Sequence, residues 1–174
     1  MIYGVYKDIT RHRLTSYSIE STRYCNYSKD KFNNKISFIK PVFYDSSWQS
    51  NEYYGVKLTE KQLKSKQWYN CMLQIQNTYN NMSELNCPPD ELRMILPHST
   101  AAEVTMTSNI REWKHILSLR CSKMTHPSVQ QIMIPILKHF QFTMPEIFNN
   151  VDYNKDFPKD KYAKFKLENN SKVF

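Results

Sequence analysis

Residues 11–24 read RHRLTSYSIESTRY, and the reading of this stretch decides the rest of the chain. Arg11, His12, Arg13 and Arg23 stand beside Ser16, Ser18 and Ser21, with Glu20 as the single acid. A guanidinium offers a rigid fork of donors matched to phosphate or carboxylate, and serine hydroxyls add short neutral hydrogen bonds to the same oxygens. The tract has the chemistry of an anion site. A charged stretch this short is also what a solvated surface looks like, so the rest of the sequence must decide.

A second basic block lies downstream. From Arg93 the chain reads RMILP, and residues 105–127 read TMTSNIREWKHILSLRCSKMTHP. At about 100° per residue, a helix over 109–119 gathers Ile110, Trp113, Ile116 and Leu117 on one stripe. Arg120 then projects roughly 20° from Asn109, close to that apolar stripe. An arginine there is costly unless a partner meets its charge; alternatively, it caps the last carbonyls and favours the helix dipole. Arg111 and His115 share a flank as an i, i+4 pair. Alone, His115 reads as a surface histidine and Arg93 as a helix surface charge.

Length and composition narrow the classes. At 174 residues the chain is expected to form a single domain over 1–174 with a substantial core. The net charge of +8 and pI near 9.2 favour an anionic partner. With only Gly4 and Gly55, neither a Rossmann fingerprint nor a P-loop can be written, so a nucleotide must be held by side chains and helix ends. Cys25, Cys71, Cys87 and Cys121 form no C-x-x-C pair, which argues against zinc and implies no metal site. No signal peptide or membrane-spanning run is visible. The expectation is a cytoplasmic protein with reduced thiols and no membrane partner.

Local patterns place the elements. Residues 36–44, ISFIKPVFY, have strand-like β-branched content interrupted by Pro41. Residues 45–54 read as a loop. A long helix is predicted over 60–82, capped by Thr59, with Leu63, Trp68, Met72, Leu73, Ile75 and Tyr79 as its core positions. Pro88-Pro89-Asp90-Glu91 opens a short helix that ends before Pro97. Residues 102–107 alternate like a strand, 109–119 are helical, and 127–140 begin the last strong helix. The polar, lysine-rich stretch 149–174 is expected to be a peripheral tail. His126, in a T-H-P setting, reads as a helix-start residue.

The two basic blocks together resemble the signatures of the flavin-dependent thymidylate synthases. The first is similar to that family's RHRxxSxNxxSxRY, through Arg11, His12, Arg13, Ser16, Ser21, Arg23 and Tyr24, with Ser18 and Ile19 departing from the pattern. The second resembles R-x-x-LP followed by N-x-R and L-R, through Arg93, Pro97, Asn109, Arg111 and Arg120. Residues 1–10 resemble the segment just before RHR, so the resemblance implies an α/β (α+β) fold, with a mixed or antiparallel sheet flanked by helices, shortened at its N-terminus. It implies conversion of deoxyuridylate (dUMP) to thymidylate, with methylenetetrahydrofolate as carbon donor and FAD reduced by NADPH as hydride source. No cysteine stands in the P-C-H setting of the flavin-independent enzymes.

By the same resemblance, the dUMP-binding set is Asp8, Arg11, Ile19, Glu20, Ser21, Thr22, Arg23, Arg93 and Arg120, with Arg93 serving a neighbouring subunit. The FAD set is Arg11, His12, Arg13, Asn109, Ile110, Arg111 and His115. Arg120 is the implied catalytic residue, lying against the uracil and favouring its ionised form. The implied assembly is a homotetramer with shared sites. A catalytically inactive remnant that keeps only a nucleotide- or phosphate-binding site is the alternative. A nucleic-acid-binding role explains the charge but not the two ordered motifs, and no nucleic-acid partner is expected.

Overall fold

The computed structural model describes residues 3–29 and 34–163. The chain forms two compact units, Met1–Ser108 and Asn109–Phe174. The mixed α/β architecture, with helices flanking a small antiparallel sheet, is the one the sequence led us to expect.

The first unit contains α1 (Tyr3–Ile9), β1 (Thr15–Ile19), α2 (Trp48–Tyr53), α3 (Glu60–Glu84), α4 (Pro89–Leu92), a 3-10 turn over Arg93–Ile95, and β2 (Val104–Ser108). β1 and β2 pair antiparallel, from Thr15 opposite Ser108 to Ile19 opposite Val104. Along β1, Thr15, Tyr17 and Ile19 are half-buried while Ser16 and Ser18 are exposed. Alternation of β-branched or aromatic residues with serine is what a strand with one wet face requires. The ladder runs one step further, because the Glu20 N–H donates to the Glu103 carbonyl (2.9 Å).

α3 begins with the expected cap. The Gln62 N–H donates to Thr59 Oγ1 (3.3 Å), and the Thr59 N–H donates to Gln62 Oε1 (3.0 Å), a complete capping box. Its buried face differs from expectation. Gln62, Ser65, Met72 and Tyr79 are buried, while Leu63 and Leu73 are nearly half exposed. The inward face starts one residue earlier than the leucines suggest, because two polar residues hold the preceding loop. Gln62 Nε2 donates to Ser47 Oγ (2.7 Å), and Ser65 Oγ accepts from the Asp45 N–H (3.0 Å).

Two local expectations are corrected. Residues 36–44 do not form a strand: only Phe38 bridges Thr100, flanked by Ile39 N–H to Ser99 O and Ala101 N–H to Ser37 O (both 2.8 Å). Pro41 has no N–H with which to extend the pairing. Residues 48–53, read as loop, form α2, which buries Trp48. Gly55, at φ +67°, reverses the chain there, with its N–H on the Glu52 carbonyl (3.1 Å).

The core of the first unit gathers Tyr27, Ile36, Tyr79 and Leu92, with Cys25, Phe38, Met82, Cys87, Ile95 and Leu96 packed around them. The Tyr27 N–H also reaches the Tyr79 hydroxyl (3.3 Å).

The second unit contains α5 (Ile110–Arg120), α6 (Pro127–Thr143), α7 (Pro145–Phe148) and a 3-10 turn over Lys159–Lys161. α5 packs on α6 through buried Ile116, Leu117, Val129, Met133 and Leu137, with Trp113 edge-on to Phe140 (5.4 Å between centroids). His126 Nδ1 accepts from the Ser128 N–H (3.2 Å), the helix-start role read for it. The segment from Asn149, expected to be peripheral, buries Val151 and Phe157 in its described part; residues 164–174 lie outside the described residues. The Asn154 N–H donates to the Cys121 carbonyl (2.8 Å), and Lys138 Nζ lies over the Tyr153 and Tyr162 rings. Pro135 sits inside α6, and the Gln131 carbonyl, four residues earlier, accepts from the Ala163 N–H (2.9 Å).

Candidate functional site

In the first unit, the core places the first basic block and the start of the second, at Arg93. Cys25 and Tyr27 follow the arginine-serine tract directly, and Leu92, Ile95 and Leu96 bracket Arg93. All five apolar positions belong to one cluster, so burying it fixes Arg23 and Arg93 relative to a common support. Leu92 is fully buried while Arg93, next in the chain, is exposed at the head of the 3-10 turn.

The tract itself divides into a turn, a strand and a second turn. Arg11 and Arg13 are exposed, whereas His12 between them is 6% exposed. The Tyr17 hydroxyl fastens this turn, donating to the Ile9 carbonyl at 2.7 Å with the His12 carbonyl at 3.1 Å. Asp8 is half-buried on α1, and Ile19 is half-buried at the end of β1. The Glu20 carboxylate is turned onto the chain, with Oε2 accepting from the Glu103 N–H (3.1 Å).

Residues 21–25 form a tight turn, with the Tyr24 and Cys25 N–H groups on the Ser21 carbonyl (3.1 and 3.2 Å) and the Arg23 N–H on Ser21 Oγ (3.4 Å). Arg23 is exposed at its apex, 5.5 Å from the Tyr24 ring centroid.

One cleft joins the blocks. Thr22, from the first, and Arg93, from the second, line a cavity of about 200 Å³ with Met94, Leu96, Pro97 and Thr100. Its floor is a closed turn, in which the Thr100 hydroxyl and N–H both donate to the Pro97 carbonyl (2.8 and 3.0 Å). The cleft offers a guanidinium, a hydroxyl and an apolar wall, a combination suited to an anion attached to a ring.

In the second unit, Asn109 caps α5, its Oδ1 accepting from the Glu112 N–H (2.8 Å). The Ile110 and Arg111 N–H groups precede the first intrahelical bond, Trp113 N–H to Asn109 O (3.0 Å), and so remain outward donors. Arg111 and His115 are exposed on one flank, and Ile110 is 50% exposed. Arg120 is half-buried in the last turn, beyond the fully buried Ile116 and Leu117. The neighbouring Cys121 thiol is pushed up to about 12 by burial, which makes it a packing residue rather than a nucleophile.

The sequence model of the family described as thymidylate synthase complementing protein matches residues 3–146. The chain belongs to that family. Its relatives include the flavin-dependent thymidylate synthases of Geobacter sulfurreducens, 23% identical over 142 residues, and of Kosmotoga olearia, 25% identical over 165 residues. The aligned parts cover 82% of this chain and 53% of the former, and 89% of this chain and 67% of the latter. The fold is similar to that of thymidylate synthase X from Helicobacter pylori, solved with FAD and dUMP. The TM-score is 0.61 at 16% identity, over 87% of this chain and 68% of that one.

Against that family background, the distribution of arginine becomes informative. The chain has six arginines, at 11, 13, 23, 93, 111 and 120, and every one falls within the two blocks, while lysines occur throughout. Lysine supplies charge equally well; only arginine supplies the planar fork. The count was available in the sequence, and it would have set these six positions apart without any motif. β1 was not read as a strand, although the period-two alternation of Thr15, Tyr17 and Ile19 was there to mark it. The Tyr17 clamp and the burial of His12 carry no sequence signal of their own.

Proposed function

We propose that this member of the thymidylate synthase complementing protein family is a flavin-dependent thymidylate synthase, converting dUMP to thymidylate with methylenetetrahydrofolate as carbon donor. The observation that carries the reading is that one core cluster supports both motifs, some seventy positions apart in the sequence, and leaves Arg23 and Arg93 exposed on it. The confinement of arginine to those motifs supports it.

The residues present fit FAD chemically. A flavin dinucleotide brings a diphosphate, and Arg11 and Arg13 are exposed and make no ion pair among the described residues. The start of α5 presents outward N–H groups beside Arg111, donors of the kind that accept phosphate or ring oxygens. When bound, a flavin reduced by NADPH supplies the hydride of the reaction, and the protein supplies orientation and charge.

In this reading Arg23, Ser21, Thr22 and the backbone from Ile19 to Thr22 hold the dUMP phosphate, with Asp8, Glu20 and Arg11 at its margins. Glu20 acts through the backbone it steadies, since its carboxylate is engaged by Glu103. Arg93 serves the nucleotide of a neighbouring subunit in a homotetramer. Arg120 stabilises negative charge developing on the uracil. His12 contributes through its backbone and the turn it closes, and Arg11, Arg13, Asn109, Ile110, Arg111 and His115 hold the flavin.

The visible spectrum of the purified chain tests the proposal. A flavin band that NADPH bleaches and dUMP perturbs is the expected result. Absence of flavin binding under all conditions, with dUMP binding retained, would leave a nucleotide-binding module in place of an enzyme. Arg120→Ala is expected to lower thymidylate formation by roughly 10²–10³-fold with unchanged circular dichroism. Full turnover in that variant would remove the role assigned to this arginine.

A further inference from the structure

A groove lined by none of the motif residues runs between α3 and residues 35–40, with a cavity volume of about 340 Å³. Its walls include Phe38, Trp68, Tyr69, Met72 and Leu73, and Lys35, Lys40 and Gln76 are the polar side chains in its lining. We infer that this groove is a second ligand site of the first unit, built for a planar aromatic ring system carrying one carboxylate.

Three features support that occupant. The first is size: small-molecule sites occupy ~300–1,000 Å³, so this one suits one or two fused rings and no more. The second is preorganisation. The Ile36 N–H donates to Gln76 Oε1 (2.6 Å), tying the segment to α3, and the Met72 sulfur accepts from the Ser99 hydroxyl (3.2 Å). Trp68 stands edge-on to Tyr44 (5.3 Å between centroids), and Tyr69 packs on Trp48 (5.4 Å). Both rings are held from outside the groove, so little side-chain freedom is lost when a ligand enters.

The third feature is charge. No acid lines the groove, whereas Lys35 and Lys40 are exposed and pair with no carboxylate among the described residues. Lys40 Nζ rests 4.8 Å from the Tyr44 ring centroid, over a neutral aromatic face. An aromatic slot flanked by two ammonium groups complements a flat apolar body with a single negative substituent. A neutral ring would leave the charge unused, and a cation would be repelled.

The test is titration of the full chain with 2-naphthoate, 2-naphthalenemethanol and 2-naphthylmethylammonium, read by tryptophan fluorescence. NOEs from the naphthoate protons to the Met72 methyl place the ligand. Naphthoate is expected to bind about tenfold more tightly than the alcohol, because the added contact is charge-assisted, and the ammonium compound is expected to bind most weakly. The double variant Lys35→Gln/Lys40→Gln should reduce naphthoate to the affinity of the alcohol while leaving the alcohol unchanged. Leu73→Glu, at an exposed position, should weaken naphthoate by about tenfold or more, placing a like charge at the rim. Equal affinity for all three compounds overturns the inference. So does the absence of saturable binding together with Leu73→Glu dissociating an oligomer in sedimentation, which would make the groove an interface between copies of the chain. Flavin binding is read separately, and neither result depends on it.

Discussion

The Tyr17 hydroxyl closes the turn that presents Arg11 and Arg13, bonding the Ile9 carbonyl at 2.7 Å from the half-buried face of β1. Tyr17→Phe removes that donor and leaves the ring in place. It is expected to cost about 1 kcal/mol in urea denaturation, and to weaken dUMP binding because the turn loses its anchor. Unchanged affinity would show that the arginines find their positions without it. The partners of this hydroxyl are carbonyls eight and five residues back, a relation that no residue pattern announces. The arginines were read as a set, through the two motifs; taken alone, Arg93 read as a helix surface charge, because a charged side chain on a helix does not show in sequence which partner it meets. His12 was read with them in the FAD-binding set, and its side chain is buried.

Elements whose ends carry side-chain caps were the most legible. Thr59, Asn109 and His126 each accept a backbone N–H at the start of a helix, and the starts of α3, α5 and α6 agree with the sequence reading. Thr59→Ala should destabilise the first unit by about 1 kcal/mol in equilibrium unfolding. The inner face of α3 was less legible, because Gln62 and Ser65 occupy core positions for the sake of loop 45–47. Its outer face adds a pH dependence. The Lys64 ammonium holds the exposed Glu60 carboxyl below its usual range. A lowered folded-state pKa favours the fold above the ordinary carboxylate range, and that contribution is lost as pH falls through the lowered value. Lys64→Gln should flatten the acid limb of the stability curve slightly, whereas a steeper limb would contradict the assignment.

At the scale of the molecule, the thiols report on both units. Cys71 is exposed on α3, and Cys121 is fully buried with its pKa raised by burial. Alkylation at pH 8 proceeds through the thiolate, so Cys71 should be modified first and Cys121 only on unfolding, as peptide mapping would show. Early labelling of Cys121 would mean that the second unit opens readily. Among the described residues, no helix is long and apolar enough to cross a membrane. The division at Ser108 and Asn109 was not visible in the sequence, because β2 runs into the cap of α5 with no linker composition to mark the step.

Pro135 opens one acceptor of α6 to a distant donor. A proline has no N–H, so once α6 forms, the carbonyl four residues earlier is left without its helical donor. Ala163 supplies that donor from 28 positions further along the chain. Elsewhere along α6 a carbonyl meets the N–H four residues ahead, so the Gln131 carbonyl is an acceptor the helix leaves open, and the segment that ends at Ala163 fastens to it. A residue that weakens the helix locally thereby exchanges one short-range bond for a long-range one, and ties the segment ending at Ala163 to the element whose ladder it interrupts.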